Sequence, residues 1–222
     1  MGQIWAGVFK SIEPDTIPWL FVDKPAYGNG CCNTAYKRLA KLESGGYLKR
    51  KSERSSPLIF MLTSKGYWQL SKKGLNRFSK APADWPRDPE LRHTLIVAAC
   101  GLVIEQAFGS KVKAEREIIS DFWVENKKKL FPSGQPSMPD LIAHHGGRKI
   151  RVEVELSLKN NKRYIDYWDS LGAPMCGQRP HILYIAGTPQ IKNHLLSIAK
   201  KDYWPGMFIC DLNAFKSTVG KA

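Results

Sequence analysis

Cysteine is scarce in this 222-residue chain and poorly spaced for a structural role. The five residues Cys31, Cys32, Cys100, Cys176 and Cys210 form no Cys-x-x-Cys pair and no even-numbered framework. Neither a zinc knuckle nor a disulfide scaffold is indicated, and reduced, mostly buried thiols are expected. No run of eighteen apolar residues occurs, and the N-terminus lacks the basic start and apolar stretch of a signal peptide, so a cytoplasmic protein is expected. Acidic residues are the other shortage: 20 Asp and Glu stand against 34 Lys and Arg, a net charge of +14. Residues 1 to 80 hold 14 Lys and Arg against 5 Asp and Glu, and residues 81 to 222 hold 20 against 15. That excess favours a polyanionic partner, double-stranded nucleic acid first, because counterion release from phosphates supplies binding energy. A membrane surface ranks well below, since neither a long Lys-rich amphipathic helix nor a lipidation signal is found. What is present, a 43% hydrophobic share and seven Trp, marks a folded chain long enough for one domain or two.

The acids that do occur are concentrated informatively. Asp140, Glu153 and Glu155 lie within MPDLIAHHGGRKIRVEVELSLK, which reads as a β-hairpin. Along Ile150 to Leu156, side chains alternate, so Glu153 and Glu155 share one face while Val152 and Val154 take the other. The preceding strand, Met138 to His144, is joined through His145-Gly146-Gly147-Arg148, the turn chemistry of a tight hairpin. Antiparallel pairing then brings Asp140 beside the Glu pair, an oxygen cluster suited to Mg²⁺ or Mn²⁺. Like charges gathered without a cation resist joint ionisation, so the cluster implies a counter-charge. A bare solvated sheet face is the bland alternative for two glutamates at this spacing; the Pro139-Asp140 pair, the hairpin and the following cations favour a site.

In the N-terminal half, NTAYKRLAKLE carries Ala35, Leu39 and Leu42 at helical spacing with Lys37, Arg38 and Lys41 opposite, and Asn33 or Thr34 as cap. Gly45-Gly46 ends that helix, and Tyr47 to Arg50 begins a strand. Lys51 to Pro57 forms a basic loop, Leu58 to Leu62 returns as a second strand, and Thr63 to Gly66 opens another helix. The order resembles a winged helix-turn-helix. That resemblance places Thr34, Lys37, Arg38 and Lys41 in the major groove and Lys51 and Arg54 in a wing touching phosphate; its rival is a winged helix that binds protein. Lys72 to Glu90, with three prolines and no sustained period, reads as a linker. It divides the chain into residues 1–81 and 82–222.

The second half reads as a helix from Pro89 through Phe108, a strand from Lys111 to Glu117, a variable segment and the two carboxylate strands. A helix over Lys159 to Leu171, a buried strand His181 to Ala186, a helix to Lys201 and a strand Met207 to Asp211 follow. This is an α/β core with a mixed sheet. Pro139-Asp140, twelve residues, then Glu153-Val154-Glu155 resembles the PD-(D/E)xK nuclease superfamily, the fold of many restriction endonucleases. Pro139-Asp140-Leu141-Ile142, Val152 to Leu156, Lys159 and Arg163-Tyr164 are especially similar to the replication-relaxation family. Its members join a winged helix-turn-helix to such a core and include plasmid mobilisation relaxases, and the resemblance spans nearly the whole chain.

The resemblance implies Asp140 and Glu153 as metal ligands for Mg²⁺ or Mn²⁺, and Glu115 as the upstream acid. The Lys usual two residues after the second acid is absent, and Glu155 occupies its place. Water activation then falls to Glu155 or to a metal-bound water, with Lys159 supplying positive charge from the next helix. In KNNKRYIDYW, Lys159, Lys162 and Arg163 are phosphate contacts. Tyr164 and Tyr167 are candidates for base stacking or for a covalent nucleophile, although packing of Tyr164 and Trp168 on the sheet is the simpler reading of the aromatics. His93, the opposed His144 and His145, and Lys127 to Lys129 receive no role. The implied activity is a metal-dependent DNA endonuclease or nickase, relaxase-like, acting at a plasmid transfer or replication origin with relaxosome proteins as partners. The rivals are a non-catalytic DNA-binding regulator or relaxosome accessory protein that retains the fold, and a transposon or defence nuclease. Oligomeric state is left open.

Overall fold

The computed structural model describes residues 29–51, 59–72, 88–125, 138–171, 180–200 and 206–219. The chain divides into two compact units, Met1–Leu102 and Val103–Ala222. The expected linker boundary at 81/82, the loop carrying Arg54 and the lysines 127–129 lie outside the described residues.

The first unit contains helix α1 (Asn29–Ser44), strands β1 (Leu48–Lys51) and β2 (Ile59–Leu62), helix α2 (Ser64–Lys72) and the start of α3 (Asp88–Phe108). Helix α1 ends where the glycine pair predicts. Gly46 takes φ 71°; its N–H donates to Glu43 O at 2.8 Å, and the Tyr47 N–H donates to Leu42 O at 2.9 Å. This paired arrangement satisfies two of the helix's terminal carbonyls and needs a left-handed residue at Gly46. The chain then enters an antiparallel hairpin with Leu48 opposite Leu62. Thr63 closes it and caps α2: its hydroxyl donates to Gly46 O at 2.7 Å and accepts from the Gly66 N–H at 3.1 Å. Gly66 has no room for more, since a Cβ there would stand 2.3 Å from Tyr47 O.

The second unit is built on a five-stranded mixed sheet in the order β3-β4-β5-β6-β7. Its elements are β3 (Lys111–Ala114), α4 (Glu115–Glu125), β4 (Leu141–His145), β5 (Arg148–Glu155), α5 (Asn161–Ser170), β6 (His181–Ala186), α6 (Pro189–Ala199), β7 (Met207–Asp211) and α7 (Leu212–Val219). β3, β4 and β5 pair antiparallel, and β5, β6 and β7 pair parallel. The α/β core is therefore present. The parallel pairings follow from the helical connections, which are long enough to return the chain to the same end of the sheet. At the β4–β5 turn, Gly146 and Gly147 adopt φ 55° and 75°, the positive pair that matches the twist of a two-residue hairpin.

Two differences from the sequence reading concern helices. β3 stops at Ala114 instead of running to Glu117, and Glu115 opens α4. Glu115 and Glu117 both lie in its first turn, where acids complement the helix dipole. Glu117 also turns inward, its Oε2 accepting from the Ala114 N–H at 3.0 Å, which is half of a capping box. Helix α7, after β7, has no counterpart in the sequence reading. Asp211 caps it by accepting from the Ala214 N–H at 2.7 Å, and that bond first, with Lys192 adding, holds the Asp211 carboxyl below its ordinary range.

The core over β6 is a layer of alternating residues: Ile182, Tyr184 and Ala186 pack against Tyr164 and Trp168 of α5 and Ile191, Leu195 and Ile198 of α6. Each of the aliphatic side chains larger than alanine contributes about 1.5–3 kcal/mol by leaving water. Cys100 is buried and Cys210 half-buried. Among the described residues no helix is long and apolar enough to cross a membrane.

Candidate active site

Sheet register builds the site. Leu141 pairs with Val152, so one further step of the antiparallel ladder sets Asp140 opposite Glu153. The ladder is continued by a side chain: Asp140 Oδ2 accepts the Val154 N–H at 2.7 Å. On the other side, the Glu115 N–H donates to Asp140 O at 3.1 Å, and β6 places Tyr184 beside Glu153. A row therefore crosses the sheet through Glu115, Asp140, Glu153 and Tyr184. Glu115 joins it by its backbone, at the point where the chain leaves β3 for α4, and its residue is exposed.

The face of β5 carrying Arg151, Glu153 and Glu155 lies under α5. Asn160 caps this helix, its Oδ1 accepting from the Arg163 N–H at 2.9 Å. The Tyr167 hydroxyl donates to Glu153 Oε1, and Arg151 Nη2 donates to the Tyr167 oxygen at 3.1 Å. One turn earlier, Tyr164 lies close enough to Glu155 to feel its charge and accepts from the Lys159 N–H at 3.4 Å. Lys159 Nζ stands 2.6 Å from Glu155 Oε2, and Glu155 is 5% exposed.

The expected trio of carboxylates is thereby divided. Asp140 and Glu153 are neighbours, and Glu153 feels the Asp140 carboxylate. Glu155, although on the same strand face, is committed to Lys159. Among the described residues no group of three His, Cys, Asp or Glu is placed to hold a metal ion. Lys159 lies in the connection before α5 and not on the helix, because the Asn160 cap starts the helix after it.

The pair Asp140–Glu153 is electrostatically unusual. Burial first, and then the Asp140 carboxylate, push the Glu153 carboxyl up to about 8, against the opposing pull of the Tyr167 hydroxyl, Arg151 and Lys159. Such a pair suits a divalent cation, since Mg²⁺ is commonly held by one or two carboxylates with substrate phosphates and waters completing its shell. A cation would relieve both the desolvation of Glu153 and its repulsion from Asp140.

Tyr164 is buried, and the Tyr167 hydroxyl is engaged by Glu153. Tyr164 is 2% exposed and Trp168 3%, both packed on the sheet, and the Trp168 indole N–H donates to Tyr184 Oη at 2.9 Å. Burial and then Glu155 push the Tyr164 phenol up to about 12. Burial and then Glu153 push Tyr167 higher still. Either hydroxyl would need an adjacent base or a metal to act as a nucleophile. What the sequence reading missed is the bond of Tyr167 to Glu153, with Arg151 donating to the same tyrosine oxygen. The available signal was the match of Arg151, Glu153 and Glu155 at strand spacing to Tyr164 and Tyr167 at helical spacing.

Among the expected DNA contacts, Lys162 and Arg163 are exposed in the first turn of α5, and Lys37, Arg38 and Lys41 are exposed on α1. Thr34 lies in α1 and Lys51 ends β1, but their side chains lie outside the described set. His144 and His145 are successive and exposed, and His145 Nδ1 is 3.0 Å from Ser110 Oγ.

No protein-family model matches the chain, and no curated protein does. Among solved structures the chain is similar, at a TM-score of 0.37 and 10% sequence identity, to the crystal structure of protein VC1899 from Vibrio cholerae. The similarity covers 99% of this chain and 53% of that one, so this chain spans about half the length of the protein it matches.

Proposed function

We propose that this protein is a divalent-metal-dependent DNA endonuclease or nickase, relaxase-like, of the kind that initiates plasmid mobilisation or replication. The single observation that carries the reading is the placement of Asp140 opposite Glu153 across β4 and β5, fixed by the Asp140 bond to the Val154 N–H. These two carboxylates would hold Mg²⁺ or Mn²⁺, which supplies water activation and stabilises charge developing on a phosphodiester. Lys159, paired with Glu155 beside them, brings the positive charge that such cores ordinarily take from a lysine two residues after the second acid.

Substrate binding falls to exposed cations. Lys162 and Arg163 stand in the first turn of α5, while Asp166 and Asp169 lie nearer its end. Both placements oppose the helix dipole, so the cations are not there for helix stability, and an approaching phosphate benefits from them and from the dipole together. In the first unit, the order helix, hairpin, helix with Lys37, Arg38 and Lys41 exposed supports a winged helix-turn-helix reading the major groove.

One observation favours the alternative, a non-catalytic DNA-binding regulator or relaxosome accessory protein. Glu155 stands where the lysine would, and its carboxylate neutralises Lys159.

Incubation of the protein with supercoiled plasmid carrying the DNA beside its own gene, in Mg²⁺, Mn²⁺ or EDTA, separates the two. Asp140→Asn retains an oxygen for the Val154 N–H, and Glu153→Gln retains one for Tyr167, so both variants should fold. Metal-dependent conversion to open circles, lost in both variants, is the expected result. Salt-sensitive binding without cleavage in any metal would establish the regulator.

A further inference from the structure

We propose that Tyr167 is the positioning residue of the metal site: it clamps Glu153 by Oε1, with Arg151 fixing the direction of the bond, so that a divalent cation meets Glu153 through its other oxygen. The inference rests on the metal-dependent reading above and adds to it the residues that orient the ligand.

The direction of the bond follows from donor inventory. A guanidinium has no acceptor, so in the 3.1 Å contact the Tyr167 oxygen accepts from Arg151 Nη2. The phenol's one hydrogen is then left for Glu153 Oε1. A serine or a water at this place would be free to rotate. Tyr167 is not, because its ring is carried by a helix and lies with the Arg151 guanidinium 5.9 Å from its centroid.

Helix and strand are matched to make this possible. Tyr164 and Tyr167 are three residues apart on α5, about 4.5 Å of helix rise. Glu155 and Glu153 are two apart on β5, about 6.6 Å of strand rise. With α5 running back over β5, Tyr164 comes near Glu155 while the Tyr167 hydroxyl bonds Glu153. Helix α5 is itself pinned on β6 by the Trp168 indole donating to Tyr184 Oη. A ligand carboxylate held by a donor on a pinned helix loses less rotamer freedom when it takes a cation, and loss of such outer partners commonly lowers metal affinity about 10- to 100-fold.

The test is Mn²⁺ binding to the full chain, read from the electron paramagnetic resonance of free Mn²⁺, for the wild type, Tyr167→Phe and Arg151→Met, with Asp140→Asn marking the site. Tyr167→Phe keeps the ring and removes only the oxygen. The expected result is about 10-fold or greater weakening of the Asp140-dependent Mn²⁺ affinity in Tyr167→Phe. A smaller weakening is expected in Arg151→Met, and excess Mn²⁺ should restore plasmid nicking in both toward the wild-type rate. Restoration by metal is a response that lost packing would not give. Wild-type binding with Tyr167→Phe within about twofold of it would overturn the clamp and leave the metal site standing. Absence of Asp140-dependent Mn²⁺ binding in the wild type would overturn the metal reading and the clamp with it. Should Tyr167→Phe fail to fold, Arg151→Met decides: weaker binding supports the clamp, and unchanged binding overturns it.

Discussion

Lys159 Nζ and Glu155 Oε2 stand 2.6 Å apart, joining a partly exposed cation to a carboxylate that is almost wholly buried. The asymmetry decides what each substitution does. Removing Lys159 strands a buried charge, whereas removing the Glu155 charge leaves a lysine that can reach water. Lys159→Met is therefore expected to cost about 2 kcal/mol in urea unfolding, and Glu155→Gln less. A double-mutant cycle should return a coupling of about 1 kcal/mol or more. Additive effects would show that the pair contributes nothing to the fold.

The Glu153 carboxyl leads to a stability that changes with pH. Burial and then Asp140 raise it to about 8 in the folded protein, while the unfolded chain has the ordinary carboxyl value. The folded state thus keeps a proton that the unfolded state has lost. The resulting stabilisation is complete below about pH 4 and declines as pH rises toward 8. Glu153→Gln removes that decline. In EDTA, its stability relative to wild type should rise between about pH 5 and 8 and level off above. A difference independent of pH would show that the carboxyl ionises normally.

Gly66 meets a limit of space and not of backbone torsion. Its missing Cβ would lie 2.3 Å from the Tyr47 carbonyl oxygen, a backbone atom held by the Thr63 N–H at 3.1 Å. Gly66→Ala is expected to push α2 off the hairpin and to destabilise the first unit by about 1–3 kcal/mol. Amide exchange should accelerate over 59–72 and stay unchanged over 141–155. Unaltered exchange at Leu62 and Tyr67 would refute the close approach.

These features differ in how far they can be read from the sequence. The β4–β5 hairpin is legible because Gly146-Gly147 fixes the turn, and strand alternation then fixes which acids share a face. The α1–β1–β2–α2 order is legible from the Gly45-Gly46 stop and the Thr63 cap. The start of α4 is not, because Lys111 to Glu117 alternates plausibly as a strand, and the acids of a helical first turn look like the polar side of such a strand. The separation of Glu155 from Asp140 and Glu153 is equally hidden, because alternation assigns a face but not a partner. That depends on Lys159, Tyr164 and Tyr167 reaching back from beyond the strand.

Exposed Lys37 and Arg38 on α1 allow the DNA reading to be tested apart from cleavage. Lys41 is less suitable, since a cation in the last turn of α1 already complements the helix dipole. Each phosphate contact contributes about 0.9 to the slope of log affinity against log salt on duplex DNA. Lys37→Gln with Arg38→Gln should therefore lower that slope by about 2 and weaken binding to specific and unrelated duplexes alike if both touch phosphate. If either reads a base edge, the loss falls mainly on the specific duplex and the slope changes less. Fluorescence anisotropy across a salt series separates these outcomes. An unchanged slope with unchanged affinity would remove α1 from the DNA interface and leave the positive charge of the first 80 residues without the partner assigned to it.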